Sequence, residues 1–279
     1  GAYAFEGTGI TYVRIPSTVT VLGEGVFLGC SSLTNVTFEE GSSLKVIPVN
    51  AFRGAGITSI SLPSTVIEIE NYAFAQSALV NFAYAPQSEA SFGSFVFYGC
   101  SGLVNIVLAD NITKMGDYVF ADCVKLESVT LPSLNELGIY TFARDNALKT
   151  VTFGANAKTT GSYTFVSIIE NQNGYYLEGL LSLTGVTLGS PVEIGEAAFY
   201  GSNLTQIDLK NAKIIGDYAF FGSAKLQTVT GIDKVTVFGN YSFANCSKLG
   251  NFSIASAQTI GDYAFASANT ANKITLPGS

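Results

Sequence analysis

Twelve phenylalanines recur along this 279-residue chain at nearly constant spacing, and that period restricts the fold more than any other property of the sequence. They are Phe5, Phe27, Phe52, Phe74, Phe97, Phe120, Phe142, Phe165, Phe199, Phe220, Phe243 and Phe265. Successive separations run from 21 to 25 residues, with a single interval of 34 between Phe165 and Phe199. A period in the twenties means a solenoid, because a unit this short buries its apolar face only against its neighbours. Residues 1–279 are therefore expected to form one domain.

The same frame returns around each phenylalanine. Glycine stands four residues before it in ten repeats, with Pro48 and Glu70 as the exceptions, which calls for positive φ or for close packing on a neighbour. A residue able to cap a helical turn follows in nine repeats, among them Asn71, Ser94, Asp117, Asp217 and Asp262, and predicts a short helical or 3-10 turn. Five or six residues after the phenylalanine an L-x-x-V-x-L pattern begins, as in Leu33, Val36 and Phe38 or Leu126, Val129 and Leu131. Its alternation predicts a half-buried strand. A second apolar pair, such as Ile112 and Met115, closes the coil. Stacked roughly 4.8 Å apart, the coils would make a β-rich right-handed superhelix on the order of 55 Å long. One long parallel concave sheet is expected, with short helical or 3-10 turns or short strands on the convex side.

Ile57 to Phe74, reading ITSISLPSTVIEIENYAF, and the hexapeptide IGDYAF at 215–220 and 260–265 fit the motif L-x-x-I-x-L-P-x-x-V-x-x-I-G-x-x-A-F-x-x-C. In this the chain resembles the BspA-like, or Treponema pallidum type, leucine-rich-repeat family over essentially its whole length. The resemblance implies a leucine-rich-repeat solenoid of about 12 repeats of 22–23 residues. It also implies a secreted or surface-attached protein of host-associated bacteria or parasitic protists, acting in adhesion to host extracellular-matrix proteins, with its signal or anchor outside this segment.

Charge and residue usage exclude other classes. A net charge of −7 and a pI near 4.6 oppose binding to phosphate backbones, so neither nucleic acid nor an anionic membrane is expected as a partner. No apolar run reaches the length of a membrane span and no signal peptide is legible, so no direct membrane insertion is expected. GAYAF already sits mid-repeat and ITLPGS stops after a strand, so natural sequence is expected beyond one or both ends, or an end is covered by another chain. Self-association through such uncapped ends follows.

Histidine is absent, which removes the usual base near neutral pH, and no nucleophile elbow, phosphate loop or nicotinamide fingerprint occurs. No enzyme, cofactor or metal is expected, and Glu39 and Glu40 read as a solvated bend. Cys30, Cys100, Cys123 and Cys246 all lie three residues after a repeat phenylalanine, where other coils place Thr8, Ala55, Ser77, Ser202, Ser223 and Ala268. They read as buried free thiols in a small-residue slot, although adjacency would allow one disulfide, between Cys100 and Cys123. Eight tyrosines stand two residues before the phenylalanine and read as a structural cover, with an aromatic recognition surface as the alternative.

Exposed strand positions are less constrained by packing, and they carry small hydrogen-bonding groups. Asn81, Asn105, Thr130 and Thr152 are candidate ligand-binding residues there, suited to weak binding of protein or glycan over many coils. A second set lies in an insertion at about 168–182, where Leu183 follows Phe165 only after 18 residues. It holds a turn signal with two aromatics outside the repeat frame, and Asn173, Tyr175, Tyr176 and Glu178 are its candidates. The function read from the sequence is a non-enzymatic surface or secreted protein binding host or neighbouring-cell ligands. The alternatives are a structural spacer and a carbohydrate-binding accessory module. Asn35, Asn111 and Asn203 begin N-x-S/T triplets, which would accept glycans in a eukaryotic secretory pathway.

Overall fold

The twelve repeat phenylalanines form one continuous stack in the computed structural model, each ring 4.8 to 5.7 Å from the next. The structure describes residues 1–172, 174–189, 192–268 and 274–276. Phe27 to Phe243 are buried to within 2% in this column, whereas Phe5 in the first coil is 45% exposed. Phe165 and Phe199 stay 5.2 Å apart although 34 residues separate them, so the inserted residues leave the stack intact. Each buried ring contributes about 1.5–3 kcal/mol through burial, and each offset pair about 0.5–1.5 kcal/mol more. This column and the ladders of Leu, Val and Ile beside it make one core running the length of the solenoid.

Each coil has three sides. On the first, the L-x-x-V-x-L segments form short parallel strands in the register that the repeat demands, for example Val13 beside Val36 and Val151 beside Val186. Here the structure departs from one long sheet. Strands pair as Tyr12–Ile15 with Asn35–Phe38, and as Asn81–Tyr84 with Asn105–Leu108. Ser128–Thr130, Thr150–Thr152 and Gly185–Thr187 form a triplet, Gln206–Asp208 pairs with Thr228–Thr230, and Phe252–Ser253 with Ile274–Thr275. The longer ladders run on the second side, through the second apolar pair: five strands from Val46–Ile47 to Glu136–Leu137, then four from Val192–Ile194 to Thr259–Ile260. An isolated parallel bridge between Thr159 and Glu193 lies between them.

The third, or turn, side carries the phenylalanine, and the helical turn expected there does not form. Backbone amides alternate between two partners. Val26, Leu28 and Cys30 donate three residues back, to Gly23, Gly25 and Phe27, while Phe27 and Gly29 donate to Ala51 and Arg53 of the next coil. Positive φ recurs two residues before and two after the phenylalanine, as at Tyr118 (54°) and Asp122 (63°), and interrupts any helix. Among the described residues the one 3-10 helix is Ile232–Lys234, outside this side.

In most coils the glycine four residues before the phenylalanine is required by packing rather than by φ, whereas Gly161 sits at a φ of 71°. A Cβ at Gly195 would lie 2.1 Å from the Gly161 carbonyl oxygen, and one at Gly116 would lie 2.6 Å from Ser94 N. The capping residues next to it do cap, but across coils: Asn71 Oδ1 accepts from Ser94 N at 2.7 Å, and Asp217 Oδ1 from Asn240 N at 2.7 Å.

Candidate binding surfaces

The departure from the period becomes a two-stranded antiparallel hairpin, Val166–Asn171 with Gly174–Gly179, standing out from the turn side. Its base is tied to the solenoid. Arg144 N donates to Ser167 Oγ at 2.9 Å, and Leu180 N donates to the Phe165 carbonyl at 2.9 Å. Beyond the base it is solvated, with Tyr175 74% and Tyr176 45% exposed and Glu178 exposed. Strand alternation sends the two tyrosines to opposite faces: Tyr175 pairs with Glu170 and shares a face with Ile168 and Leu177, whereas Tyr176 pairs with Ile169 and shares one with Glu178. Asn173 lies outside the described residues.

The other four candidates lie on the first strand side, away from the hairpin. Asn105 Nδ2 donates to Asn81 Oδ1 at 2.7 Å, so these two amides form a ladder rung. Thr130, Thr152 and Thr187 stand in one row across the three-stranded sheet. Thr130 and Thr152 border a shallow hollow of about 760 Å³ that also reaches Lys210 and Asn211. Thr152 further borders a groove of about 400 Å³ where the sheet is open between Gly185–Thr187 and Gln206–Asp208. Thr150, Thr184, Thr228 and Thr230 line it with the single carboxylate Asp208. Partial burial pushes that carboxyl up, but hydrogen bonds from Lys210 and Thr230 prevail and hold it below the usual range. Sequence reasoning missed this groove; its one sequence signal is Gly185, which puts no side chain where Thr150 and Gln206 stand in neighbouring coils.

The tyrosine positions form a second aromatic column, on the outside of the turn side. Tyr72, Phe95, Tyr118, Tyr140 and Tyr163 stack at 4.6 to 5.4 Å, and Tyr218, Tyr241 and Tyr263 at 5.0 Å. Ala197 occupies the slot between the two stacks. All of these residues sit at positive φ, a conformation that aromatic side chains rarely adopt, and the packed column holds them there. The Tyr163 hydroxyl donates to Glu196, and that of Tyr3 in the first coil donates to Glu24. Arg144 runs along the column, its Nε donating to Asp122 Oδ1 at 2.6 Å.

Beneath the turn side, all four thiols are free and buried. Each donates to the phenylalanine carbonyl of the preceding coil, as Cys100 Sγ does to Phe74 O at 3.1 Å. Burial pushes the Cys100 thiol up to about 11 and that of Cys246 to about 12, so neither is a reactive nucleophile. In the same column stands Asp145, which the sequence reading did not single out. It is fully buried, with Oδ1 accepting from Cys123 N at 2.7 Å and Oδ2 without a partner. Burial raises its pKa well above the carboxylate range, against the Cys123 hydrogen bond, which lowers it. Among the described residues no group of acidic or cysteine side chains is placed to hold a metal ion, and no helix is long and apolar enough to cross a membrane.

The family model of the BspA type leucine-rich-repeat region matches the chain in six copies, over residues 1–88, 68–173 and 169–279. No curated protein matches it. Among solved structures, a leucine-rich repeat protein from Bacteroides ovatus is 22% identical, with a TM-score of 0.61 over 100% of this chain and 78% of that one. A leucine rich cell surface protein from Faecalibacterium prausnitzii is 23% identical with a TM-score of 0.49, over 97% and 80%. The T. pallidum leucine rich repeat protein is 22% identical with a TM-score of 0.47, over 69% and 78%. The likeness to the Bacteroides ovatus protein is one of fold.

Proposed function

The chain belongs to the BspA-type leucine-rich-repeat family, and on that premise we propose that it is a non-enzymatic, extracellular or surface-displayed module whose role is adhesion through a protein ligand. Leucine-rich repeats serve as protein-binding scaffolds because stacking gives a rigid, extended surface. The observation that carries the reading for this chain is the hairpin Val166–Gly179, which breaks the period, adds nothing to the phenylalanine stack and holds Tyr175 and Tyr176 in solvent. Exposed tyrosines combine apolar area with a polar tip and suit interface cores. Host extracellular-matrix proteins are the ligands the reading favours.

A second reading, a glycan in the threonine-lined groove beside Gly185, is favoured by the density of hydroxyl groups there. The groove lacks the aromatic platforms that hold sugars tightly, so any such binding would be weak. The test is binding of the full chain to immobilised fibronectin, fibrinogen, mucin and a glycan panel, beside a version with residues 169–176 replaced by Asn-Gly. That replacement keeps the Ile168–Leu177 pair and closes the hairpin with a two-residue turn. Saturable protein binding that is lost in the shortened version is the expected result. Glycan binding unaffected by shortening would favour the groove, and no binding by the folded chain would refute both readings.

A further inference from the structure

We propose that the turn side is a docking surface for an arginine-rich segment of a protein partner, seated where the tyrosine column is interrupted at Ala197. Charge is partitioned between the sides of this solenoid. The windows from four residues before to three after each repeat phenylalanine, together with the hairpin to Gly179, hold eleven of the 21 Asp and Glu but two of the 14 Lys and Arg. All eleven lysines lie elsewhere, so the two strand sides together carry a slight positive excess, and the acidity of the chain belongs to the turn side. Of those eleven acids, Asp145 alone is buried; Glu196, Asp262 and the hairpin's Glu170 and Glu178 are exposed. Such a one-sided field steers a cationic partner to this side.

The two arginines on the turn side show how it receives a guanidinium. Arg53 lies 5.3 Å from the centre of the Tyr72 ring, at the point where Asn50 takes the place of a tyrosine and leaves that ring face uncovered. Arg144 is held by Asp122, with Nη2 3.5 Å from the Tyr98 hydroxyl. A ring face flanked by the amide oxygens of Gln76 and Asn50, at Arg53, and a carboxylate near a phenol, at Arg144, are thus how this side holds a guanidinium, whose planar fork suits such partners better than a lysine ammonium does.

The same elements recur beyond Arg144 with no basic residue in any turn window. At the Ala197 break the Tyr218 ring, stacked on Tyr241 on one side, is 37% exposed; Asp217 precedes it in the chain, and across the break Glu196 accepts from the Tyr163 hydroxyl. Ala197 itself is covered, so a guanidinium would lie across the outer edge of the break, over Tyr218, rather than beside the alanine methyl. The surface does not depend on what the hairpin binds.

The test is fluorescence anisotropy of labelled nona-arginine and nona-lysine with the full chain, at low and at physiological ionic strength. One variant combines Asp117→Asn, Glu196→Gln, Asp217→Asn and Asp262→Asn. Asn71 and Asn240 already fill this column and accept the next coil's amide, so the cap survives the loss of charge. The control combines Glu68→Gln, Glu89→Gln, Glu136→Gln and Glu193→Gln on the second strand side. A third variant, Tyr218→Asn, has its precedent at Asn50 in the same positive-φ slot. Expected are salt-sensitive binding that prefers arginine, weakening by about tenfold or more in the turn-side variant and less than about twofold in the control, and loss of the arginine preference in Tyr218→Asn. Equal weakening in both charge variants would reduce the effect to net charge and overturn the proposal. So would absence of binding at low ionic strength, or an arginine preference that survives Tyr218→Asn.

Discussion

Asp145→Ser should stabilise this protein, by an amount that grows with pH. Asp145 stands where other coils place Cys, Ser, Thr or Ala, and the next coil puts buried Leu180 in the equivalent position, since Val151 pairs with Val186. Oδ2 consequently has no partner, and burial favours the protonated form of the acid. With the native pKa raised above the unfolded value of about 3.9, the native state keeps a proton that the unfolded chain releases as pH rises. The contribution of this group is full below about pH 4. It is lost at about 1.4 kcal/mol per pH unit as pH climbs to the native pKa. Serine removes the linkage and the orphan oxygen together; Ser223, in the same column, donates to Phe199 O at 2.9 Å. The orphan alone costs about 1–3 kcal/mol. Urea unfolding of both proteins at about pH 5.5, 6.5 and 7.5, above the pI of 4.6, should show the variant ahead by that amount or more. Its lead should widen as pH rises through this range, for as long as pH stays below the native pKa. All other titrating groups are shared, so the difference isolates Asp145. A variant less stable than the parent at about pH 7.5, or a lead that does not change with pH, would refute the reasoning.

Other outcomes follow from the columns. Phe120→Ala, in the middle of the ring stack with neighbours at 5.5 Å on both sides, should cost about 3–5 kcal/mol in urea unfolding. Phe5→Ala, at a ring already 45% exposed, should cost less than half of that. Gly138→Ala would place a methyl 2.3 Å from the Gly116 carbonyl carbon and should lower stability by about 1–3 kcal/mol, seen as a lower thermal midpoint. Thiol titration with Ellman's reagent should find no rapidly reacting cysteine in the folded protein and four in denaturant, because all four are buried and free.

The stacking direction was legible in the sequence because the repeat writes each column out twelve times, and one odd residue cannot hide the rule. Phe, Leu and Val positions all fall where the period places them. The turn side was misread for a physical reason. A run such as Gly216-Asp217-Tyr218-Ala219-Phe220 carries a cap residue and good helix formers, but each coil must leave alternate amides free for its neighbour, and positive φ at Tyr218 supplies that break. Local propensity yielded to hydrogen bonding between coils. The splitting of the first strand side was not legible, because paired and unpaired coils share the same L-x-x-V-x-L alternation. Of the candidate ligand residues, exposure was predictable from the frame, but the separation of Tyr175 from Tyr176 came only with the hairpin register, and Asp145 was overlooked because its column reads as one of small residues.

A surface that repeats every 22 or 23 residues presents a ligand with many equivalent registers, so a specific complex needs places where the repeat is broken. Four of those places lie close together on this chain. Asp145 in a cysteine slot, the hairpin at Val166–Gly179, Gly185 with the open groove beside it, and Ala197 between the two tyrosine stacks all fall within a few consecutive coils. Each has a different local cause, and none improves the stacking of the phenylalanine column, which passes through the region unchanged. The buried acid works against stability, and the hairpin orders a segment that the solenoid does not need. Coils on either side keep the repeat and act as a rigid frame that sets the distance and orientation of these departures. The coils from Phe142 to Phe220 therefore offer a ligand a dense set of departures that fixes one register, on the turn side, the first strand side, or both.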